Sequence, residues 1–282
     1  MRRTIVLTVL LIGLLPTACS DDPVLPPSEP AVVERIREQG RLLVAVPYEG
    51  RPPPGDVNPS LTVYRGLAVE LAQAVGDSIG VDVRFAPSAS AAVARLPKDG
   101  ALHLSFPLVP VTPELAGRST LSDPYLTSYG SLMVASEAAA GQLDAGGRTC
   151  SSPEPWETRI PPNAPRKRIA RPTPGACLEL LVDGRVDAVA GPDVVLARLA
   201  YDECPRCVLT GRGKQEFFLS AVVPEGAEDF ARYVSDVFAH ARQDGRWHSW
   251  YRKWIGRFSE RNAPPEVPDL DEALQRAQAL HS

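Results

Sequence analysis

Apolar and polar positions change period repeatedly along the chain, and the changes read as strands alternating with helices. Val32, Val33 and Ile36 recur at helical spacing, and Gly40 stands where a left-handed residue closes a helix. RLLVAV (41–46) is a nearly continuous apolar run, the form of a parallel strand covered on both faces. A Pro- and Gly-rich loop extends to about residue 60. GLAVELAQAVGDSIG (66–80) has an amphipathic helical period, VDVRFA (81–86) predicts a strand, SAAVARLPKDG (90–100) a helix and ALHLSF (101–106) a third strand. The next residues, PLVPVTPELAGRSTLSDPY (107–125), read as a strand end, a capped helical turn and an Asp-Pro-Tyr corner.

The order repeats further on. SLMVAS (131–136) predicts a strand, RTCS (148–151) and RIAR (168–171) weaker ones, CLELLVDG (177–184) a helix, VDAVAG (186–191) a strand and DVVLARLAY (193–201) a helix. EFFLSAVVP (216–224) is followed by a long amphipathic helix over about 227–242 and by GRWHSWYRKWIG (245–256). Such alternation predicts βαβ units in open α/β sheets, and two lobes of similar size fit 282 residues better than one sheet. Ligands of such sheets lie at the C-terminal ends of the strands, here between the lobes.

The N-terminus changes the picture. Arg2, Arg3 and Thr4 precede an apolar run from Ile5 to Leu15, then Pro16-Thr17-Ala18-Cys19. A charged head, a short apolar stretch and small residues before a cut describe an export signal too short for a comfortable membrane span. Cys19 after Ala18 resembles the lipobox of bacterial lipoproteins, with Pro16 in place of the usual Leu. SDDPVLPPSEP (20–30) reads as a semi-extended tether. The formal charge of the whole sequence is −4, and losing Arg2 and Arg3 makes it more negative. With no aromatic-basic stripe, this disfavours nucleic acid as a partner.

Export permits disulfides, and with Cys19 set aside four cysteines remain, Cys150, Cys177, Cys204 and Cys207. A bridge closing the loop from Cys150 to Cys177 would add ~3–4 kcal/mol on the chain-entropy model. Cys204-Pro205-Arg206-Cys207 is either a structural turn disulfide or a redox pair; no second C-x-x-C or His pair supports zinc.

Five stretches carry a resemblance: EQGRLLVAV (38–46), RGLAVELAQAV (65–75), VTPELAGRSTLSDPY (111–125), GRVDAVAGPDVVLA (184–197) and DGRWHSWYRKWIG (244–256). In this order and spacing they resemble the extracellular solute-binding protein family 3, the amino-acid-binding subunits of import transporters. The resemblance implies an α/β, two-lobed type II periplasmic-binding-protein fold with two crossing hinge strands. It divides the chain into a signal peptide (1–18), a lipoprotein tether (19–30), lobe 1 (31–128 and 217–256), lobe 2 (129–216) and a C-terminal tail (257–282). Cys150 and Cys177 resemble the disulfide positions of the actinobacterial glutamate-binding branch, implying that pair, and Cys204 is then expected to pair with Cys207.

The family motif T-x-T-P-E-R-x-x-x-x-x-F-S-x-P-Y puts an Arg in the first turn after a strand, where its guanidinium forks onto the ligand α-carboxylate. This chain keeps Thr112, Pro113, Glu114, Ser122, Pro124 and Tyr125, but the Arg position is Leu115 and the preceding family Thr is Pro110. The family Asp that pairs with the ligand ammonium falls at Pro192, with Asp193 one step later, and Glu154-Pro155-Trp156 replaces a Gly-Ser-Thr turn. Arg118, one turn past Leu115, either reaches the same anion or stands as a solvated surface arginine. Asp193 either approaches an ammonium or N-caps the helix that follows. Tyr48 either stacks on a ligand or lies at the rim, and Glu70 braces structure. Thr112 completes the expected ligand set.

The remaining chemistry is sparse. His103, His240, His248 and His281 lack metal spacing, Trp247, Trp250 and Trp254 have the spacing of packing residues, and G-R-G-K at 211–214 lacks the context of a phosphate loop. No cofactor, no metal and no acid–base pair for catalysis is implied, although relatives include cyclohexadienyl dehydratases and the binding modules of lytic transglycosylases. The expected protein is a lipid-anchored carrier on the outer face of the membrane, delivering an amino-acid-like solute to an ABC permease. The alternative is a sensor on the same fold signalling through a membrane protein. The tail PDLDEALQRAQALHS (268–282) has helical apolar spacing and docks either on the body or on a partner.

Overall fold

The computed structural model describes residues 29–47, 66–88, 94–98, 102–143, 146–152, 167–258 and 264–279. Helix α1 (Ala31–Gln39) buries Val33 and Ile36 and ends at Gly40, whose φ of 67° suits glycine. Strand β1 (Arg41–Pro47), helix α2 (Leu67–Ile79) and strand β2 (Asp82–Ser88) follow. Leu67, Leu71, Val75 and Ile79 line the buried face of α2. Gly76 on that helix lies so close to β2 that a Cβ would stand 2.4 Å from Val83 Cγ2, so only glycine fits without a shift.

Next come β3 (Leu104–Ser105), the short helix α3 (Pro113–Ala116) and the long strand β4 (Thr120–Val134). The chain continues through α4 (Glu137–Ala140), β5 (Arg148–Ser151), β6 (Lys167–Ala170), α5 (Pro174–Val182), β7 (Ala188–Pro192) and α6 (Asp193–Asp202). A second long strand, β8 (Val208–Val223), leads to α7 (Glu228–Gln243), α8 (Arg246–Trp254), a 3-10 turn (Gly256–Phe258) and α9 (Leu270–Ala279).

Among the described residues eight strands form one sheet in the order β2-β1-β3-β8-β4-β7-β5-β6. β1 runs parallel to β2 and β3, and β5 runs parallel to β6 and β7. Between these two parallel triads lies an antiparallel ribbon, β4 on β8, paired from Thr120↔Val223 to Val134↔Val208. Among the described residues only this ribbon reaches both triads, β8 through β3 and β4 through β7.

One face of the first triad and the ribbon packs on α7 through Phe230, Val234 and Phe238. Tyr125 sits edge-on to Phe106 with ring centroids 5.3 Å apart, and the Trp247 indole N–H donates to the Tyr125 carbonyl at 2.9 Å. Full burial pushes the Tyr125 phenol pKa up, which keeps the ring a neutral core residue. The opposite face carries a smaller cluster, including Val111, Leu115, Leu121, Phe218, Val222 and Ala273.

Three expectations change. The helix predicted over 90–100 is absent from Ala94–Lys98; Leu96 instead makes a parallel bridge to Pro224. Pro97 explains this, because it biases Leu96 to extended backbone and would clash with the preceding helical turn. The Asp-Pro-Tyr corner is no corner: Ser122 to Tyr125 lie inside β4, and the pairing slips on both sides of Pro124. A proline cannot donate to the ladder, so the strand accommodates it with an irregularity rather than a turn. The strand expected at 131–136 is the far end of the same β4. The tail, whose docking was open, folds back as α9 on the body, with Ala273 fully buried.

Candidate functional site

Two corners flank the ribbon where a solute would be expected, one from each triad. The first is α3. Thr112 N-caps it in extended backbone, accepting from the Leu115 N–H at 3.2 Å, and Pro113 takes the first turn, where no N–H is needed. Val111 N–H donates to the Phe218 carbonyl at 2.8 Å and ties this corner to β8. Leu115 is only 2% exposed and belongs to the smaller apolar cluster, to which Leu270 and Leu274 of α9 also contribute. Arg118 lies just past the helix and is exposed.

The second corner is the junction of β7 and α6. Pro192 is the N-cap residue and Asp193 the first residue of the helix, so Asp193 is not the cap itself. Its side chain is buried, at 6% exposure, and turned to the ribbon. Asp193 Oδ1 accepts from the Ser128 hydroxyl at 2.6 Å and from the Tyr129 N–H at 3.2 Å. A carboxylate in the first turn of α6 is also favoured by the helix dipole. Next along the ribbon, the Tyr129 hydroxyl donates to Glu216 Oε1 at 3.1 Å, and Gly130 pairs with Pro192.

The structure therefore brings Thr112 and Arg118 to one corner and Asp193 to the other. Tyr48 and Cys19 lie outside the described residues, as do Glu154, Pro155 and Trp156. Cys150 is bonded to Cys177 with Cα atoms 5.5 Å apart, joining β5 to α5. Cys204 is bonded to Cys207 across a tight turn closed by Cys207 N–H on the Cys204 carbonyl at 2.8 Å; both are buried, which suits a staple more than an accessible redox pair.

Other candidates resolve into structural roles. Glu70 accepts from Lys253 Nζ at 2.8 Å and from the Trp254 indole N–H at 3.1 Å, bracing α2 against α8. His103 Nδ1 accepts from the Leu43 N–H at 3.1 Å; burial, with Arg35 and Arg41 nearby, holds its pKa below the usual histidine value. Among the described residues no group of His, Cys, Asp or Glu could hold a metal ion, and no helix is long and apolar enough to cross a membrane. A cavity of about 470 Å³ lined by Ala139, Leu143, Leu181 and Asp187 lies at the N-terminal ends of β5 and β7, the end of the strands that open α/β sheets do not use for ligands.

Ser128, Tyr129, Glu216 and Arg276 were not singled out by the sequence. Tyr129 meets Glu216 from 87 positions away, Ser128 meets Asp193 from 65 and Arg276 meets Glu216 from 60, and no local pattern marks such contacts.

The fold itself has known counterparts. A reconstructed ancestral cationic amino acid solute-binding protein matches with a TM-score of 0.65 at 20% identity, covering 80% of this chain and 100% of that one. An amino acid ABC transporter substrate-binding protein from Streptococcus pneumoniae, bound to L-arginine, matches with a TM-score of 0.58 at 19% identity, covering 79% of this chain and 96% of that one. A solute receptor for L-cysteine of Neisseria gonorrhoeae gives 0.57 at 22%, covering 80% and 94%. No curated protein sequence matches the chain. At these identities the likeness speaks for the fold, which is that of a type II periplasmic binding protein. The sequence profile of the bacterial extracellular solute-binding proteins, family 3, matches residues 44–257, and the chain belongs to that family.

Proposed function

We propose that the chain is a lipid-anchored extracytoplasmic carrier that hands a small, amino-acid-like solute to an ABC importer. Membership of the solute-binding family across residues 44–257 carries this reading. Export and a lipidated Cys19 are supported by the signal-like residues 1–18. We place lobe 1 at 31–128 and 217–256 and lobe 2 at 129–216, a boundary supported by the slip in ribbon pairing between Tyr129 and Ser131. Arg118, exposed beside the Thr112 cap, supplies the cation for the solute's carboxylate; the Thr112 hydroxyl and Tyr48 complete the contacts. Asp193 serves the ammonium only if it exchanges Ser128 for the solute as the lobes close.

One observation favours a second reading. Leu115 and Asp193, at or next to the positions that would grip an α-amino acid, are respectively packed against apolar neighbours and bonded inward to the ribbon. A sensor on the same fold, reporting to a membrane partner, needs no such grip.

A thermal-shift screen of the mature protein against amino acids, dicarboxylates and polyamines separates the two. A carrier at about 100 times the dissociation constant gains ~2.7 kcal/mol and melts measurably higher. That shift is expected to vanish in Arg118→Ala; a glutamate or glutamine shift that survives the substitution removes Arg118 from the site. No shift with any solute turns the assignment to sensing. Mass spectrometry of the membrane-released protein finding an intact signal or an unmodified Cys19 would remove the lipid anchor.

A further inference from the structure

The tail makes polar contacts with both strands that join the triads, while Arg276 also pairs with Glu272 of its own helix. The Thr127 hydroxyl donates to the Glu266 carbonyl at 2.7 Å, and the Leu270 N–H donates to Asp123 Oδ1 at 3.0 Å, both on β4. Arg276 Nη1 donates to Glu216 Oε2 at 3.3 Å on β8, and the other oxygen of that carboxylate takes the Tyr129 hydroxyl of β4. A single carboxylate thus joins the tail to both strands. Tyr129↔Glu216 is also the last regular pair before the ladder slips, the next being Ser131↔Arg212. From the other side, Asp193 of α6 holds Ser128 and Tyr129. Tyr129 is therefore held by α6 through its N–H and linked to the tail through the Glu216 carboxylate that it shares with Arg276.

Two packed bodies joined by a pair of strands move by changing backbone angles over a few residues of those strands. Any group bonded to both strands at that point biases the motion. The apolar seat of α9 is made mainly by small side chains, Ala273 and Ala277, with Leu270 and Leu274 only partly buried. That contact is shallow enough to leave the polar catch a measurable share of the docking.

We propose that residues 264–279 are an intramolecular strap on the hinge ribbon, with Arg276 on Glu216 as its catch, and that the strap sets the balance between open and closed arrangements of the two halves. The device does not depend on what the solute is. It rests on the two-lobed reading only in requiring that the halves move.

The test uses the full chain without solute, carrying nitroxide labels at Glu38→Cys on α1 and Glu179→Cys on α5, both exposed. Distances between the labels are measured by double electron–electron resonance in the otherwise native protein, in Arg276→Glu, and in the swapped pair Arg276→Glu with Glu216→Arg. An exposed ion pair of this kind predicts a change of about twofold to fivefold in the ratio of the two populations on reversal, with partial or full return in the swap. A distribution unmoved by Arg276→Glu overturns the proposal, and so does a change that the swap fails to reduce. Removing the tail after residue 263 uncovers Leu115 and Phe218 and risks the fold, so the point reversals carry the decision. Absence of any solute shift in the thermal screen would leave these distances as readable as before.

Discussion

The corner at Thr112–Arg118 and the corner at Pro192–Asp193 sit on opposite sides of one ribbon, yet Leu115 and Asp193 are turned inward in different ways. At the first, the side chain is changed: Leu115 has no polar atom and completes an apolar cluster with α9. At the second the chemistry is kept and its direction changed: Asp193 still carries a carboxylate, but its hydrogen bonds run to Ser128 and Tyr129. A buried leucine is stabilised by leaving water, without direction. A buried carboxylate is stable only where donors meet it, so its orientation is fixed by its partners. The Leu115 position can gain a polar group only by substitution, whereas the Asp193 carboxylate can be re-aimed by movement of the ribbon.

That contrast sets the order of the expected effects. The largest belongs to Leu115→Arg, which places a guanidinium at a site 2% exposed. An unpaired charge there destabilises by about 3–5 kcal/mol, read as the loss in a urea titration. A loss below about 1 kcal/mol would mean that the arginine finds open space, and the corner would then not be closed by α9. Asp193→Ala comes next, at about 2–3 kcal/mol, because the Ser128 hydroxyl and the Tyr129 N–H lose a charged acceptor while staying buried. Asp193→Asn, which keeps an oxygen for both donors, is expected to lose less; equal losses would point to charge rather than hydrogen bonding.

Thr112→Ala removes an N-cap and is expected to lower stability by ~1 kcal/mol, with Thr112→Ser recovering most of it. Recovery by serine separates the cap from any packing of the threonine methyl. The smallest effect is that of Arg118→Ala, whose exposed side chain predicts a change within about 0.5 kcal/mol in unfolding experiments. A larger loss would mean that Arg118 belongs to the fold and not to a solute.

Much of the architecture was legible because its signals are local. The period of Leu67, Leu71 and Val75 marks a helix, the run RLLVAV a covered strand, and Gly40 a helix end, and each appears as such. The family likewise follows from five short stretches in order. What failed to show was non-local. SLMVAS looks like a strand by itself, and nothing in it reveals that the same strand begins at Thr120 and pairs with β8 throughout. Ser122-Asp123-Pro124-Tyr125 has turn chemistry, which the ladder overrides by slipping around the proline. At the candidate site the residue types were readable, while the direction of Asp193 was not: it depends on Ser128, sixty-five positions away. The tail showed its helical period but not its seat, since small apolar residues such as Ala273 fit many surfaces.

The Cys150–Cys177 bond has a consequence for how this chain can vary. Strands β5 and β6 are held in parallel register from Arg148↔Lys167 to Ser151↔Ala170, with residues 153–166 between them in sequence. The bond fixes Cys150 of β5 to α5, which follows β6 in the chain, so both strands are held independently of the sequence between them. Lengthening a segment with anchored ends raises its closure entropy only slowly, by about 0.6 kcal/mol for each doubling. Lengthening the sequence between the two strands is therefore expected to cost folding little. Selection for a new recognition property can act on that stretch while the rest of the chain stays under the constraints of its core.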